Sequence, residues 1–122
     1  MRVFYVYGEN QHERSLYSQL MAAINQKKSS FDMSRGFQIR DFIKVSDVVA
    51  DFYHEIVPDH TGFSVINVCS ESPISVREFV EAILKENNIS MNLNLGKFPL
   101  PEYEPLAFWG NKKFILNYRK EK

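Results

Sequence analysis

The sequence predicts an α/β domain. Apolar β-branched and aromatic runs alternate with stretches of helical spacing, in the order strand, helix, short strands, helix, strand, helix, strand. The opening run Met1-Arg2-Val3-Phe4-Tyr5-Val6-Tyr7-Gly8 is almost free of polar residues, as in parallel strands covered by helices on both faces. A length of 122 residues, with 44% hydrophobic and 14% aromatic content, suits one globular domain with a single core.

Residues 1–8 read as a strand buried on both faces, and because it opens the chain its neighbours are expected from elsewhere. Over 13–27, Leu16, Leu20, Ala23 and Ile24 fall at i, i+4, i+7 and i+8, which predicts a helix with Glu13 in its opening turn and Lys27-Lys28 at its end, charges that suit the macrodipole. Gly36 lies between Phe31-Asp32-Met33 and Phe37-Gln38-Ile39 and predicts a turn joining two short extended pieces. Residues 37–45 alternate in part as a strand. Ser46-Asp47 reads as an N-cap pair ahead of Val48, Val49, Phe52, Tyr53 and Ile56, a second helix that must stop near Pro58. Phe63 to Cys69 reads as a further strand. Ser75-Val76-Arg77-Glu78 has the form of a capping box, and Ile74 with Phe79 is placed as its hydrophobic staple, so a third helix runs to about Glu86. Asn87-Asn88 ends it, Met91 to Leu95 alternates as a short strand, and Phe98 to Pro105 holds three of the five prolines, which predicts a loop.

Charge and cysteine content remove several classes of function. Fifteen Lys+Arg balance fifteen Asp+Glu, so the broad basic surface that phosphate-backbone binding needs is absent and nucleic acid is not an expected partner. One cysteine cannot form an internal disulfide. No long apolar run or charged-then-apolar leader marks a membrane span or secretory signal, and a cytoplasmic setting is expected.

The reactive residues carry little by themselves. His12, His54 and His60 lie at unrelated spacings and lack the paired helical histidines of a zinc site, so each reads as a surface histidine. Cys69 ends a buried strand, where a thiol packs as a small apolar group. Tyr118 and Lys122 share the spacing of a Tyr-x-x-x-Lys pair but stand in a basic tail of Lys112, Lys113, Arg119, Lys120 and Lys122 with no packing stripe, which reads as a solvated end. Arg40 of the Arg40-Asp41 pair presents a planar donor fork suited to phosphate oxygens, with a surface ion pair between the two as the alternative reading.

Read together, three segments resemble a family. Arg-x-Phe-x-Val-Tyr-Gly at 2–8, Gly-x-x-x-Arg-Asp-Phe-Ile-x-Val-x-Asp-Val at 36–48, and Asn-Val-Cys-Ser followed by Ser-Val-Arg-Glu within 67–78 occur in this order in the extended short-chain dehydrogenase/reductases, the NAD-dependent nucleotide-sugar epimerases, 4,6-dehydratases and 4-ketoreductases. The resemblance covers nearly the whole chain. It implies that residues 1–122 form the C-terminal, substrate-binding subdomain of a Rossmann-type enzyme, whose dinucleotide-binding half would have preceded Met1. It further implies that Arg40 contacts the diphosphate of a nucleotide-diphosphate sugar, that Asp41 and Asp47 are architectural, and that Phe4 and Tyr5 lie on the strand that ends beside the nicotinamide and the sugar. The family residue at position 5 is commonly Asn, from which Tyr5 departs. Asn67 resembles an asparagine near the nucleotide, with a strand-end Asn bonding its own loop as the alternative. Glu104 resembles the acid that reaches the nucleoside; the arginine often found three residues before it is replaced by Pro101. Phe108 and Trp109 beside it read as packing of the loop onto the core.

The cofactor implied for the family is NAD or NADP, yet the five glycines at 8, 36, 62, 96 and 110 form no Gly-x-Gly-x-x-Gly or Gly-x-x-Gly-x-x-Gly motif, so none is expected to bind this chain alone. The expected role is sugar-nucleotide binding for epimerisation, dehydration or 4-keto reduction, without turnover by these residues by themselves. The alternatives are a non-catalytic, sheet-completing module or homodimer built through Val3, Tyr5 and Tyr7, or through pairing of the 2–7 strand with a Rossmann half, and an inactive gene remnant.

Overall fold

The computed structural model describes residues 1–56, 63–112 and 115–118, the last four as backbone only. It is an α/β arrangement of three helices and short, mostly parallel strands.

The opening run divides at Phe4. Strand β1 (Arg2–Val3) pairs in parallel with β6 (Phe63–Val68), and β2 (Tyr5–Tyr7) pairs in parallel with β5 (Phe42–Lys44). The N–H of Phe4 goes to the carbonyl of Val68 and that of Tyr5 to the carbonyl of Asp41, which marks the handover. Two expectations are thereby corrected. The partners come from within these residues, and the run is not buried on both faces, since Val3 is 40% and Tyr5 41% exposed. Each half still has one edge without a strand among the described residues.

Helix α1 spans Leu16–Asn25, and its N-cap is Ser15, whose Oγ accepts from the Ser18 N–H at 3.2 Å. Glu13 therefore precedes the helix and Lys27-Lys28 follow it, so neither charge stands in a helical turn as periodicity predicted. Strand β3 (Ser30–Asp32) pairs in parallel with β8 (Asn92–Asn94). Gly36, at φ +70°, turns the chain toward β4 (Ile39–Arg40), which pairs antiparallel with β7 (Ile74–Ser75).

Helix α2 (Val45–Ile56) follows β5 with no linking residue, so Ser46 and Asp47 lie inside its first turn instead of capping it. Asp47 keeps a favourable place near the helix start without being the N-cap. Val48 faces inward with Ile43 and Val68, while Val49, Phe52, Tyr53 and Ile56 form an exposed apolar stripe, 63%, 39%, 65% and 73% open. The expected stop at Pro58, and His60, lie outside the described residues. Helix α3 (Val76–Glu86) forms with both halves of its capping box: the Ser75 Oγ accepts from the Glu78 N–H at 3.1 Å, and the Glu78 carboxylate accepts from the Ser75 N–H at 2.7 Å.

The main core joins Leu20 and Ala23 of α1, Phe31 and Met33 around β3, and Val76, Phe79, Val80, Ile83 and Leu84 of α3. Phe42 stacks on Phe79 with ring centroids 3.9 Å apart, which ties β5 to this core. The tail holds a strand that periodicity did not predict, while Lys112 is exposed as expected. Strand β9 (Ile115–Tyr118) runs antiparallel on β6, and Lys112 is held by Asp51, Nζ to Oδ2 3.2 Å. Lys113, Arg119, Lys120 and Lys122 lie outside the described residues.

Candidate functional site

The break between β4 and β5 falls at Asp41, and it sends Arg40 and Asp41 into different surroundings. Asp41 is fully buried. Its Oδ1 accepts from the N–H and the hydroxyl of Ser70 at 2.7 and 2.6 Å, and its Oδ2 from the N–H groups of Glu71 and Gly110, each at 3.2 Å. Four donors from loops far apart in sequence meet on one carboxylate, which fits the architectural role implied for it.

Arg40 is 1% exposed and is not paired with Asp41. The expected alternative of a surface Arg40–Asp41 ion pair is therefore corrected. Its Nε donates to the Tyr5 hydroxyl at 3.2 Å, Nη1 to the Ile39 carbonyl at 2.8 Å, and Nη2 to Glu104 Oε1 at 2.8 Å. The guanidinium also lies 4.9 Å from the ring centre of Phe108 and 5.6 Å from that of Tyr5. A buried cation needs a counter-charge, and Glu104 supplies it. The loop that carries Glu104 and Phe108 is positioned by main-chain bonds on either side of Ile39, whose N–H goes to the Leu106 carbonyl at 2.8 Å and whose carbonyl accepts from Phe108 at 3.2 Å.

Tyr5, Arg40 and Glu104, drawn from three separated segments, thus meet in one cluster, and all three line a cavity of about 450 Å³. Phe42, Phe79 and Tyr7 give it an aromatic wall, and Arg14, Gln11 and Ser15 bring polar groups from the start of α1. Burial pushes the Tyr7 phenol above its ordinary value, against the opposing pull of Lys44, so at neutral pH it is a hydroxyl donor. Two arginines and two carboxylates, Arg14, Arg40, Asp32 and Glu104, line the cavity and balance in charge.

The other expected site residues stand apart from it. Asn67 is buried on β6, where its Oδ1 accepts from Arg2 Nε at 3.0 Å and its Nδ2 donates to the Asn111 carbonyl at 2.9 Å. Its partners come from β1 and the late loop, which corrects the alternative that it bonds its own loop. Phe4 packs on Phe108 with centroids 6.3 Å apart, on a shallow depression that shares Tyr5 and Val6 with the cavity, whereas Phe4 itself does not line the cavity. Phe108 packs inward as expected, whereas Trp109 is 56% exposed and does not. His12 and His54 are exposed, and Cys69 is fully buried, where desolvation raises its thiol above the ordinary value. Among the described residues, no group of three metal-ligating side chains exists, and no helix is long and apolar enough to cross a membrane. Sequence reasoning missed Arg14, Ser15 and Tyr7 as cavity residues; the Ser15 cap was the available signal, since it fixes where α1 begins.

No protein-family profile matches the chain. Among curated proteins, dTDP-6-deoxy-L-talose 4-dehydrogenase (NAD(+)) of Aggregatibacter actinomycetemcomitans is 26% identical over 112 residues, 92% of this chain and 41% of that enzyme. Among solved structures, the UDP-N-acetylglucosamine 4-epimerase from Methanobrevibacter ruminantium M1, in complex with UDP-N-acetylmuramic acid, superposes with a TM-score of 0.74 at 22% identity, over 92% of this chain and 36% of that one. The UDP-glucuronic acid 4-epimerase from Bacillus cereus, in complex with UDP-glucuronic acid and NAD, gives 0.72 at 24% identity over 92% and 35%. The chain therefore shares their fold and spans well under half of their length.

Proposed function

We propose, for a chain whose fold is that of the C-terminal portion of an extended short-chain dehydrogenase/reductase, that these residues form the sugar-nucleotide binding side of an NAD(P)-linked epimerase, dehydratase or ketoreductase. The observation that carries the reading is the convergence of Tyr5, Arg40 and Glu104 on one aromatic-walled cavity. Arg40 offers a planar fork of five N–H donors, of which Tyr5, Ile39 and Glu104 take three. A diphosphate held there would fix the attached sugar in place, which is the contribution of a positioning residue to a transfer step.

Neither Gly8 nor Gly110 is placed to admit a dinucleotide. A Cβ on Gly8 would meet the Val45 side chain at 2.7 Å, and one on Gly110 would meet Cys69 at 2.6 Å, so both glycines make room for protein and neither opens a cradle for a pyrophosphate. No hydride step is assigned to these residues.

Calorimetric titration with nucleoside-diphosphate sugars tests the reading. Arg40→Ala is expected to lose about 1.5–3 kcal/mol of binding free energy, with Arg40→Lys recovering part of it. Equal binding by the unsubstituted chain and Arg40→Ala would leave Arg40 as a structural ion pair.

A further inference from the structure

We infer that Glu104 is an internal stand-in for an incoming oxyanion: its carboxylate occupies Nη2 of Arg40, and a diphosphate gains that donor only by displacing it. This rests on the binding role proposed above and adds how that site is held closed. The two members of the pair are unequally fixed. Arg40 is 1% exposed and is also bound by Tyr5, by the Ile39 carbonyl and by two aromatic faces. The Glu104 side chain is 30% exposed, and among the described residues its one hydrogen bond is the 2.8 Å contact to Arg40 Nη2.

Glu104 also sits on the lighter support. It ends a turn closed by its own N–H to the Pro101 carbonyl at 3.0 Å, and its neighbour Tyr103 is 89% exposed. The stretch from Pro99 to Pro105 has no strand partner; the contact with Ile39 begins at Leu106. When the pair opens, the hinge therefore lies in the turn, and the cation stays where it is. Charge points the same way. With Glu104 in place the cavity holds two cations and two carboxylates, a poor host for a polyanion, and its departure shifts the balance by one toward the cations.

The test uses inorganic pyrophosphate, which has no base or sugar. Glu104→Gln keeps the side chain's size and an acceptor oxygen while removing the competing charge, and it should bind pyrophosphate at least about tenfold more tightly than the unsubstituted chain. Adding Arg40→Gln to that variant should abolish the gain. Unchanged or weaker binding would overturn the inference. A second measurement needs no variant: pyrophosphate should speed amide hydrogen exchange at Glu104, whose N–H closes the turn on Pro101, in the unsubstituted chain, and unaltered exchange there on binding would also overturn it. Normal nucleotide-sugar binding without the pyrophosphate gain would remove the stand-in role and leave the proposed function intact. A pyrophosphate gain without nucleotide-sugar binding would do the reverse.

Discussion

Asp41 and Arg40 are adjacent residues with opposite duties. Asp41 gathers donors from Ser70, Glu71 and Gly110, so replacing it leaves the buried Gly110 N–H and the partly buried N–H groups of Ser70 and Glu71 without that acceptor. Asp41→Ala should destabilise the chain by about 3 kcal/mol or more, with Asp41→Asn costing less because one acceptor oxygen remains; urea midpoints measure both. Nothing in the local sequence revealed this hub, since its partners lie 29 to 69 residues away. Tyr5, Arg40 and Glu104 were singled out only through family resemblance, and the ion-pair alternative read from the dipeptide gave Arg40 the wrong carboxylate, Asp41 in place of Glu104. An Arg-Asp dipeptide suggests contact, but at this break in the strand the two side chains take different partners.

Elements were readable where their determinants are local. Helix α3 formed where Ser75, Glu78, Ile74 and Phe79 placed it, because cap, box and staple span six residues. Its box also gives a pH dependence. Hydrogen bonds from Ser75 hold the Glu78 carboxyl below its ordinary value near 4.5, so its contribution is complete above that value and fades as pH falls through the lower folded value. Ser75→Ala should cost about 0.5–2 kcal/mol at neutral pH, and Glu78→Gln, which removes the titrating carboxyl, should flatten the acid limb of stability, seen by circular dichroism melts across pH 3 to 7. The start of α2 was misread because Ser46-Asp47 has the composition of a cap, while β5 runs directly into the helix and leaves no residue free to serve as one. Strand β9 went unseen because its signal is pairing with β6, some fifty residues away, inside a segment dominated by lysine.

At the scale of the whole molecule, fold class and the order of helices followed from alternation and periodicity, whereas the division into small sheets did not. Strands of two or three residues are too short for a period to register. The outer edges of β1 and β2 are unpaired among the described residues, and open edges invite further pairing. Tyr7 packs inward against Tyr17 and Phe79, so any such association falls to Val3 and Tyr5. Light scattering after size exclusion should show mass rising with protein concentration, and Val3→Lys should reduce the rise; a monomer at every concentration would count against pairing through this edge.

The stripe along α2 has a practical corollary. Reporter dyes that brighten on greasy surfaces find Val49, Phe52, Tyr53 and Ile56 already on offer in the folded chain. Their glow is therefore a property of the native state, and its onset is no witness to melting.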